Sequence, residues 1–236
     1  MSYVAVAIVI GLLIAIHEYG HLLAAKLCGI PVKRFSIGFG PKLFGFQRAE
    51  TSYWFSWIPL GGYVLPALED ADFRQLPAYK RIMFALGGPV ANISGAFMGL
   101  FLIGLSQFSL GPVRALSFAT TQLLLGLQQQ LHGLSMLFSD LGQLSGLVGI
   151  VAVGGAEFGS TLTNLLTFSV LINISLAVFN LLPLPPLDGG RILFCLLEKL
   201  YRPIARAEAP ATLVGWALVM VLMVYVTVQD VGRLVA

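Results

Sequence analysis

Hydrophobic residues occur in four long runs separated by connections of different character. A helix rises 1.5 Å per residue, so about 20 apolar residues cross the roughly 30 Å hydrocarbon core of a bilayer. The pattern therefore predicts an α-helical polytopic membrane protein with four transmembrane helices. The predicted spans are about Tyr3–Leu27, Ile82–Leu105, Leu162–Leu182 and Ala211–Val228.

The composition supports this prediction. Hydrophobic residues make up 57% of the 236 residues, the mean hydropathy is +0.87, and only 11% of residues are charged, against about 25% in soluble domains. A soluble core cannot bury that much apolar surface, so part of the surface must face lipid. The net charge of +3 is small and gives no indication of nucleic-acid binding. Two cysteines, Cys28 and Cys195, are too few for a disulfide framework.

The distribution of lysine and arginine predicts the orientation. Eight of the fourteen belong to the first connection, counting Lys26 at the end of the first run, and four lie between the third and fourth runs, whereas Arg114 alone lies between the second and third. By the positive-inside rule the first and third connections are cytosolic, and both termini are extracytosolic. Arg233, near the end of the chain, goes against this trend. The first run lacks the basic start and small-residue cleavage site of a signal peptide, so we interpret it as a mature helix.

Two connections have their own structure. Residues 35–66 are rich in aromatic and β-branched residues between Gly and Pro, which predicts strands and turns. They are too apolar for a free cytosolic loop, so we expect a β-hairpin region that enters the membrane from the inner side. Residues 112–141 are amphipathic and predict helices on the outer surface. We interpret residues 1–236 as a single membrane-embedded domain.

Two histidines and a glutamate lie in the interior of the first predicted span. His17 and His21 are four residues apart, so they share a helix face and can bind one zinc ion. Glu18 is adjacent and could act as general base toward the attacking water. Ionisable groups inside a span are usually functional, although a structural polar patch between helices is the alternative. His17 lies thirteen residues after Val4, about 20 Å along the helix, in the inner third of the bilayer.

A catalytic zinc site needs a third protein ligand. His132 lies in the outer connection, and Cys28 lies beyond the inner end of the first span. Asp188 follows prolines that end the third span on the inner side, and two glycines after it allow a close backbone approach. Asp188 is therefore the favoured ligand. Its alternative role is to cap a helix that begins near Arg191.

These motifs carry a family resemblance. His17-Glu-x-x-His21, together with Asn180-x-x-Pro-x-Pro-x-Leu-Asp188-Gly, resembles the site-2 proteases, which are zinc proteases of regulated intramembrane proteolysis. Four further segments resemble the bacterial branch that cleaves anti-sigma factors. They are Phe35–Gly40, Ile58–Val64, Gly88–Asn92 and Leu144–Ile150.

The resemblance implies zinc ligation by His17, His21 and Asp188, acid–base catalysis by Glu18 and substrate handling by Asn180. It also implies that residues 35–66 form a membrane re-entrant region. The expected partners are transmembrane protein substrates and the lipid bilayer, and the expected location is the inner (plasma) membrane. One departure is clear, because too few residues separate the second span from the outer helices for the PDZ domain that this branch usually carries. A second is Leu147, where the family pattern has proline.

Two other classes of function compete with a protease. One is a catalytically inactive relative that binds transmembrane helices, against which stands the intact set of His17, Glu18, His21 and Asp188. The other is a zinc transporter, which would need a polar path through both faces of the membrane. The second and fourth predicted spans contain no ionisable residue, so the sequence argues against such a path.

Overall fold

The computed structural model describes residues 2–137, 146–158 and 161–235. Its helices, in chain order, are α1 (Ser2–Leu27), α2 (Asp70–Gln75), α3 (Ala78–Ser106), α4 (Pro112–Leu137), α5 (Leu147–Glu157), α6 (Leu162–Asn180), α7 (Asp188–Leu200) and α8 (Ala205–Val235). Two strands, β1 (Val32–Arg48) and β2 (Thr51–Pro66), lie between α1 and α2.

Four helices of the described chain are long and apolar enough to cross a bilayer, as predicted. They cover Tyr3–Leu27, Ala78–Ser106, Leu162–Asn180 and Arg202–Arg233. The second and fourth begin earlier than predicted because the helical backbone continues into flanking charged residues, which an apolar pattern leaves out. The predicted outer helices are one helix, α4, and the predicted residues 138–141 lie outside the described residues, as do residues 144–145 of the Leu144–Ile150 segment.

The strands confirm the β-hairpin predicted for residues 35–66. β1 and β2 pair antiparallel, and their turn brings Phe46 opposite Tyr53 and Phe44 opposite Phe55. The first part of β1 has partners on both sides, since Phe35 lies opposite Tyr53 and also opposite Val64. Within the described residues, two segments of this sheet therefore have a partner on one side only. They are residues 42–48 and residues 62–66, which form the two edges.

The chain forms two compact units. The first comprises residues 11–92 and 179–212 and contains α2, α7 and the hairpin. Its apolar core consists of Leu22, Ala25, Ile30, Val32, Phe35 and Phe84. These residues pack the end of α1 against the beginning of β1 and the first turns of α3, so the core lies beside the segment that carries His17 and His21.

The second unit comprises the described parts of residues 1–10, 93–178 and 213–236. It contains a buried carboxylate, Asp230 of α8, which accepts hydrogen bonds from the backbone N–H groups of Gly146 (2.9 Å) and Gly149 (2.8 Å). Asp230 thereby binds the first turn of α5, where helical N–H groups lack partners within the helix. A Cβ at Gly149 would lie 2.6 Å from this carboxylate, which explains the glycine.

Candidate metal centre and active site

Three side chains predicted as zinc ligands come together in the first unit. His17 and His21 lie one turn apart on α1, and Asp188 is the first residue of α7. Their donor atoms form a triangle: Nε2 of His17 lies 3.2 Å from Nε2 of His21, and Asp188 Oδ2 lies 3.2 Å from each. All three residues are buried.

The triangle has the dimensions of a zinc site. Donor atoms about 2.0–2.1 Å from a tetrahedral zinc ion lie about 3.3–3.4 Å from one another. Two imidazole nitrogens and one carboxylate oxygen are a donor set that zinc prefers, and three protein ligands leave the fourth position open, as in catalytic sites. In the described part of the chain this is the group of His, Cys, Asp and Glu side chains that could hold a metal. Cys28 and His132, the alternatives considered from sequence, do not belong to it.

Both imidazole rings are oriented by α3. The Nδ1–H of His17 donates to the side-chain oxygen of Asn92 at 2.5 Å, and the Nδ1–H of His21 donates to the backbone carbonyl of Phe84 at 2.8 Å. A hydrogen bond at Nδ1 fixes the ring and leaves Nε2 as the metal-binding nitrogen. Asn92 is itself completely buried and also donates to the carbonyl of Leu13.

Glycines allow α3 to lie close enough to make these contacts. A Cβ at Gly88 would lie 2.5 Å from Nε2 of both histidines, so only hydrogen fits there. Gly20 of α1 faces Gly87 of α3, and a Cβ on Gly20 would collide with the Gly87 carbonyl. Small residues at such contacts are how apolar helices approach closely within a membrane.

Asp188 reaches the histidines because a turn separates α6 from α7 just before it. α6 ends at Asn180, and a tight turn of Leu181–Leu187 leads to α7. Gly189 packs against the carbonyls of Leu181 and Leu182, where any side chain would collide. The alternative role of Asp188 as a helix cap is wrong: α7 begins at Asp188 itself and its N-cap is Leu187, so the carboxylate faces the histidines instead.

Electrostatics keep Asp188 ionised and α7 in place. Burial by itself raises the pKa of Asp188, but the adjacent imidazoles of His17 and His21 outweigh it and hold that pKa well below its ordinary value. The ionised carboxylate is the form that binds metals. Further along α7, Glu198 accepts a hydrogen bond from the buried guanidinium of Arg81 at 2.6 Å, which links α7 to the beginning of α3.

Glu18 lies beside the edge of the β-sheet. A Cβ at Gly62 would come within 2.8 Å of Glu18 Cγ, so the edge formed by residues 62–66 passes directly over this side chain. Asn180 is half-buried and is the last residue of α6, immediately before the turn that leads to Asp188. The strand pairing thus identifies residues 62–66 as the sheet edge beside Glu18.

A family profile settles what kind of protein carries this centre. The profile of peptidase family M50 matches residues 5–223. The chain belongs to peptidase family M50, the site-2 protease family. Together with its four span-length apolar helices, this membership makes the chain a membrane metalloprotease.

Individual relatives of this chain are named as zinc metalloproteases. A candidate zinc metalloprotease of Fusobacterium nucleatum is 25% identical over 99% of both chains. A second, from Clostridium perfringens, is 30% identical over 93% of this chain and 95% of its own length. The zinc metalloprotease RasP of Oceanobacillus iheyensis is 49% identical over 94 residues, which are 39% of this chain and 22% of that protein.

The alignments match this chain to longer relatives. The alignment with the Fusobacterium protein runs over 337 positions although this chain has 236 residues, so about a hundred positions have no residue of this chain. The relatives' names and the donor triangle together identify the metal as zinc.

Sequence reasoning missed the contribution of α3 to this M50 site. The segment Gly88–Asn92 entered only as a resemblance, yet Gly88 and Asn92 both contact the histidines. The available signal was their spacing of four residues, which places a residue without a side chain and a polar amide on one face of an apolar helix. A buried amide in a membrane span requires a partner, and His17 supplies it.

The contact at Gly88 yields a prediction. Gly88→Ala should reduce bound zinc on the order of ten-fold or more, because the new methyl group must displace both Nε2 atoms and the triangle cannot keep its dimensions. The measurement is zinc stoichiometry of the purified protein by atomic absorption. Gly133→Ala on α4 is the matched control, since no atom lies within 4 Å of its added Cβ. Normal zinc content in Gly88→Ala would show that the histidines do not depend on this close approach.

Proposed function

We propose that the chain is an intramembrane zinc protease that hydrolyses peptide bonds within the transmembrane segments of other membrane proteins. The observation that carries this proposal is the buried triangle of His17, His21 and Asp188 with Glu18 beside it, on a helix long enough to span a bilayer. The resemblance to the anti-sigma-factor-cleaving branch suggests regulated intramembrane proteolysis. Anti-sigma factors and signal-peptide remnants are the substrate classes it implies.

The proposed roles follow the chemistry of each group. His17, His21 and Asp188 hold zinc, with Asn92 and Phe84 keeping the imidazoles in the required orientation. When bound, zinc supplies Lewis acidity that stabilises negative charge on the scissile carbonyl oxygen and lowers the pKa of water. Glu18 takes a proton from the water as its oxygen attacks the carbonyl carbon, and then gives that proton to the departing amine.

The substrate must unwind before it can be cut. A helical peptide bond has its carbonyl hydrogen-bonded and its approach crowded by side chains, so the reacting segment must become extended. Unpaired backbone groups are costly in lipid, and the enzyme must replace their lost partners. Among the described residues, no strand pairs with the outer side of residues 62–66, and this edge lies beside Glu18, so an extended substrate can add to it as a strand. Asn180 is proposed to bind the substrate backbone next to the turn.

The proposed location is the plasma (inner) membrane. The charge distribution supports cytosolic connections between α1 and α3 and between α6 and α8, with both termini outside. The position of His17 along α1 supports an active site in the cytosolic third of the bilayer, where the hairpin region would be re-entrant. A catalytically inactive relative that binds transmembrane helices is the alternative, and the complete site argues against it.

The role of Glu18 as general base is tested by substitution. Glu18→Gln should retain zinc but lose activity by 10²- to 10⁴-fold or more, because the amide cannot accept the proton of water. The measurement is cleavage of a tagged transmembrane substrate by the purified protein, together with its zinc content. Near-normal turnover in this variant would overturn the proposed mechanism. Absent turnover in both proteins, with zinc bound, would favour the inactive relative.

Asp188→Ala should lose zinc as well as activity. Two histidines alone make an incomplete site, so the affinity should fall beyond the roughly 10- to 100-fold typical of changes to groups that only orient ligands. Zinc affinity is measured by competition with a chromogenic chelator, and circular dichroism checks that the helices persist. Full zinc occupancy with two-histidine coordination in X-ray absorption would remove Asp188 from the ligand set.

Strand addition is tested by proline. Tyr63→Pro and Val64→Pro are both needed, because neighbouring N–H groups point to opposite sides of a strand and one of the two faces outward. The variant whose N–H faces outward should cleave the substrate about two- to ten-fold more slowly, or slower still, and should keep its zinc. Phe46→Pro, in the other edge, is the control. Helix-breaking residues near the scissile bond should also improve a substrate. Unchanged cleavage by both variants, with stiff helical substrates cut equally fast, would reject strand addition.

Orientation is tested with reporters. A periplasmic-type reporter fused near Gln129 should be active and one near Arg202 inactive, because the connection poor in lysine and arginine is translocated. A cytosolic-type reporter at the same two sites should give the opposite pattern and serves as the control. The reverse result for both reporters would place the zinc site near the outer face.

A further inference from the structure

A cavity of about 200 Å³ lies between the end of α1 and the hairpin. Its walls come from both elements: Tyr19, Leu22, Leu23 and Lys26 of α1, with Phe46, Arg48 and Tyr53 of the strands. Tyr19 is two residues from both His17 and His21, or about 200° around the helix. The cavity therefore opens on the side of α1 away from the metal donors, and the proposed mechanism does not use it.

Two positive charges line this cavity without a carboxylate to neutralise them. Lys26 donates a hydrogen bond to the hydroxyl of Tyr53 at 2.8 Å, and its ammonium lies 5.5 Å from the centre of that ring. Arg48 lies on the hairpin wall. Across the described residues, neither cation has an acidic group within 4.0 Å, whereas Arg81 and Arg233 do. An ammonium has three donors and a guanidinium five, so most of their hydrogen-bonding capacity is available to an anion.

The remaining wall is apolar and exposed. Tyr19, Leu23 and Phe46 are 57%, 47% and 55% exposed, although each is large and hydrophobic. Along α1 the exposed apolar surface continues through Ile16 and Leu12 at helical spacing, toward the middle of the span. The cavity and the exposed apolar surface that continues from it along α1 together form a groove. One end of this groove is cationic, and the other end leads along the hydrocarbon-facing side of α1.

We propose that this groove binds an anionic phospholipid, with the phosphate between Lys26 and Arg48 and an acyl chain along Leu23, Tyr19 and Ile16. A soluble phosphate would satisfy the two cations but leave the apolar wall in water, whereas a lipid matches both ends. Basic residues at the cytosolic end of a membrane helix attract anionic lipids in this way. Assignment to the inner leaflet rests on the proposed topology, whereas the binding chemistry does not.

Such a lipid would join the two elements that carry the catalytic parts. α1 holds His17, Glu18 and His21, and the hairpin holds the edge at residues 62–66. The groove is lined by both, so a lipid in it binds the face of α1 opposite the site while contacting the same sheet. The lipid in this groove is accordingly expected to stabilise the structure and not to lie on the path of the substrate.

The test measures lipid retention and needs no catalysis. The full chain is purified in mild detergent with phosphatidylglycerol or phosphatidylcholine, and bound lipid is counted by native mass spectrometry. The wild type should prefer phosphatidylglycerol. The double variant Lys26→Gln/Arg48→Gln should bind this lipid more weakly, on the order of ten-fold or more, since each cation raises the affinity about five-fold. Lys33→Gln with Lys42→Gln is the matched control. Both are exposed lysines of β1 outside the cavity, so the same charge is removed without loss of the preference.

Each result decides the proposal. Equal retention of both lipids by the wild type, or unchanged preference in the Lys26/Arg48 variant, would overturn it. Equal loss in the Lys33/Lys42 control would assign the effect to overall charge and also overturn it. Displacement of the lipid by millimolar inorganic phosphate alone would assign the groove to a soluble anion. The same measurement on Glu18→Gln should match the wild type, so the outcome is independent of whether the chain is an active protease.

Discussion

Three buried polar donor atoms held 3.2 Å apart are the constraint on which the first unit depends. Two imidazoles and a carboxylate are costly to bury, and each must find partners for its other polar atoms. Asn92 and the Phe84 carbonyl satisfy the far nitrogens of the histidines. The arrangement of α3 beside α1 follows from that requirement, because both partners lie on α3.

The close approach of α1 and α3 requires glycine at the positions where they touch. Apolar side chains at Gly20, Gly87 or Gly88 would separate α1 from α3 and move the hydrogen-bonding groups out of reach. Burial of hydrophobic surface cannot drive this contact within lipid, so packing and interhelical hydrogen bonds hold it instead. The glycines and Asn92 therefore act together, the former by removing bulk and the latter by supplying the polar contact.

The second constraint is the delivery of Asp188 and of the sheet edge to the same region. The turn Leu181–Leu187 ends α6 and starts α7 so that its first residue faces the histidines. The bend in the sheet places the first part of β1 inside and residues 62–66 at the edge, beside Glu18. The proposed cleavage within the membrane would use both features, because an extended peptide in lipid must exchange its helical hydrogen bonds for others. The candidate site thus combines a metal-binding triangle with a sheet edge.

The sequence by itself determined the four spans and the hairpin, and it predicted His17, His21 and Asp188 as zinc ligands, whose donor atoms lie together in the structure. These follow from local rules: span length, strand composition and a four-residue spacing act within one segment. Tertiary structure alone decided that Asn92 and Gly88 complete the site, that Asp188 is not a helix cap and that residues 62–66 form the edge. Those features depend on which distant segments touch. The four-residue spacing of Gly88 and Asn92 marks one face of α3 but does not say which helix lies against it, and the contact between β2 and Glu18 leaves no periodic trace in either segment.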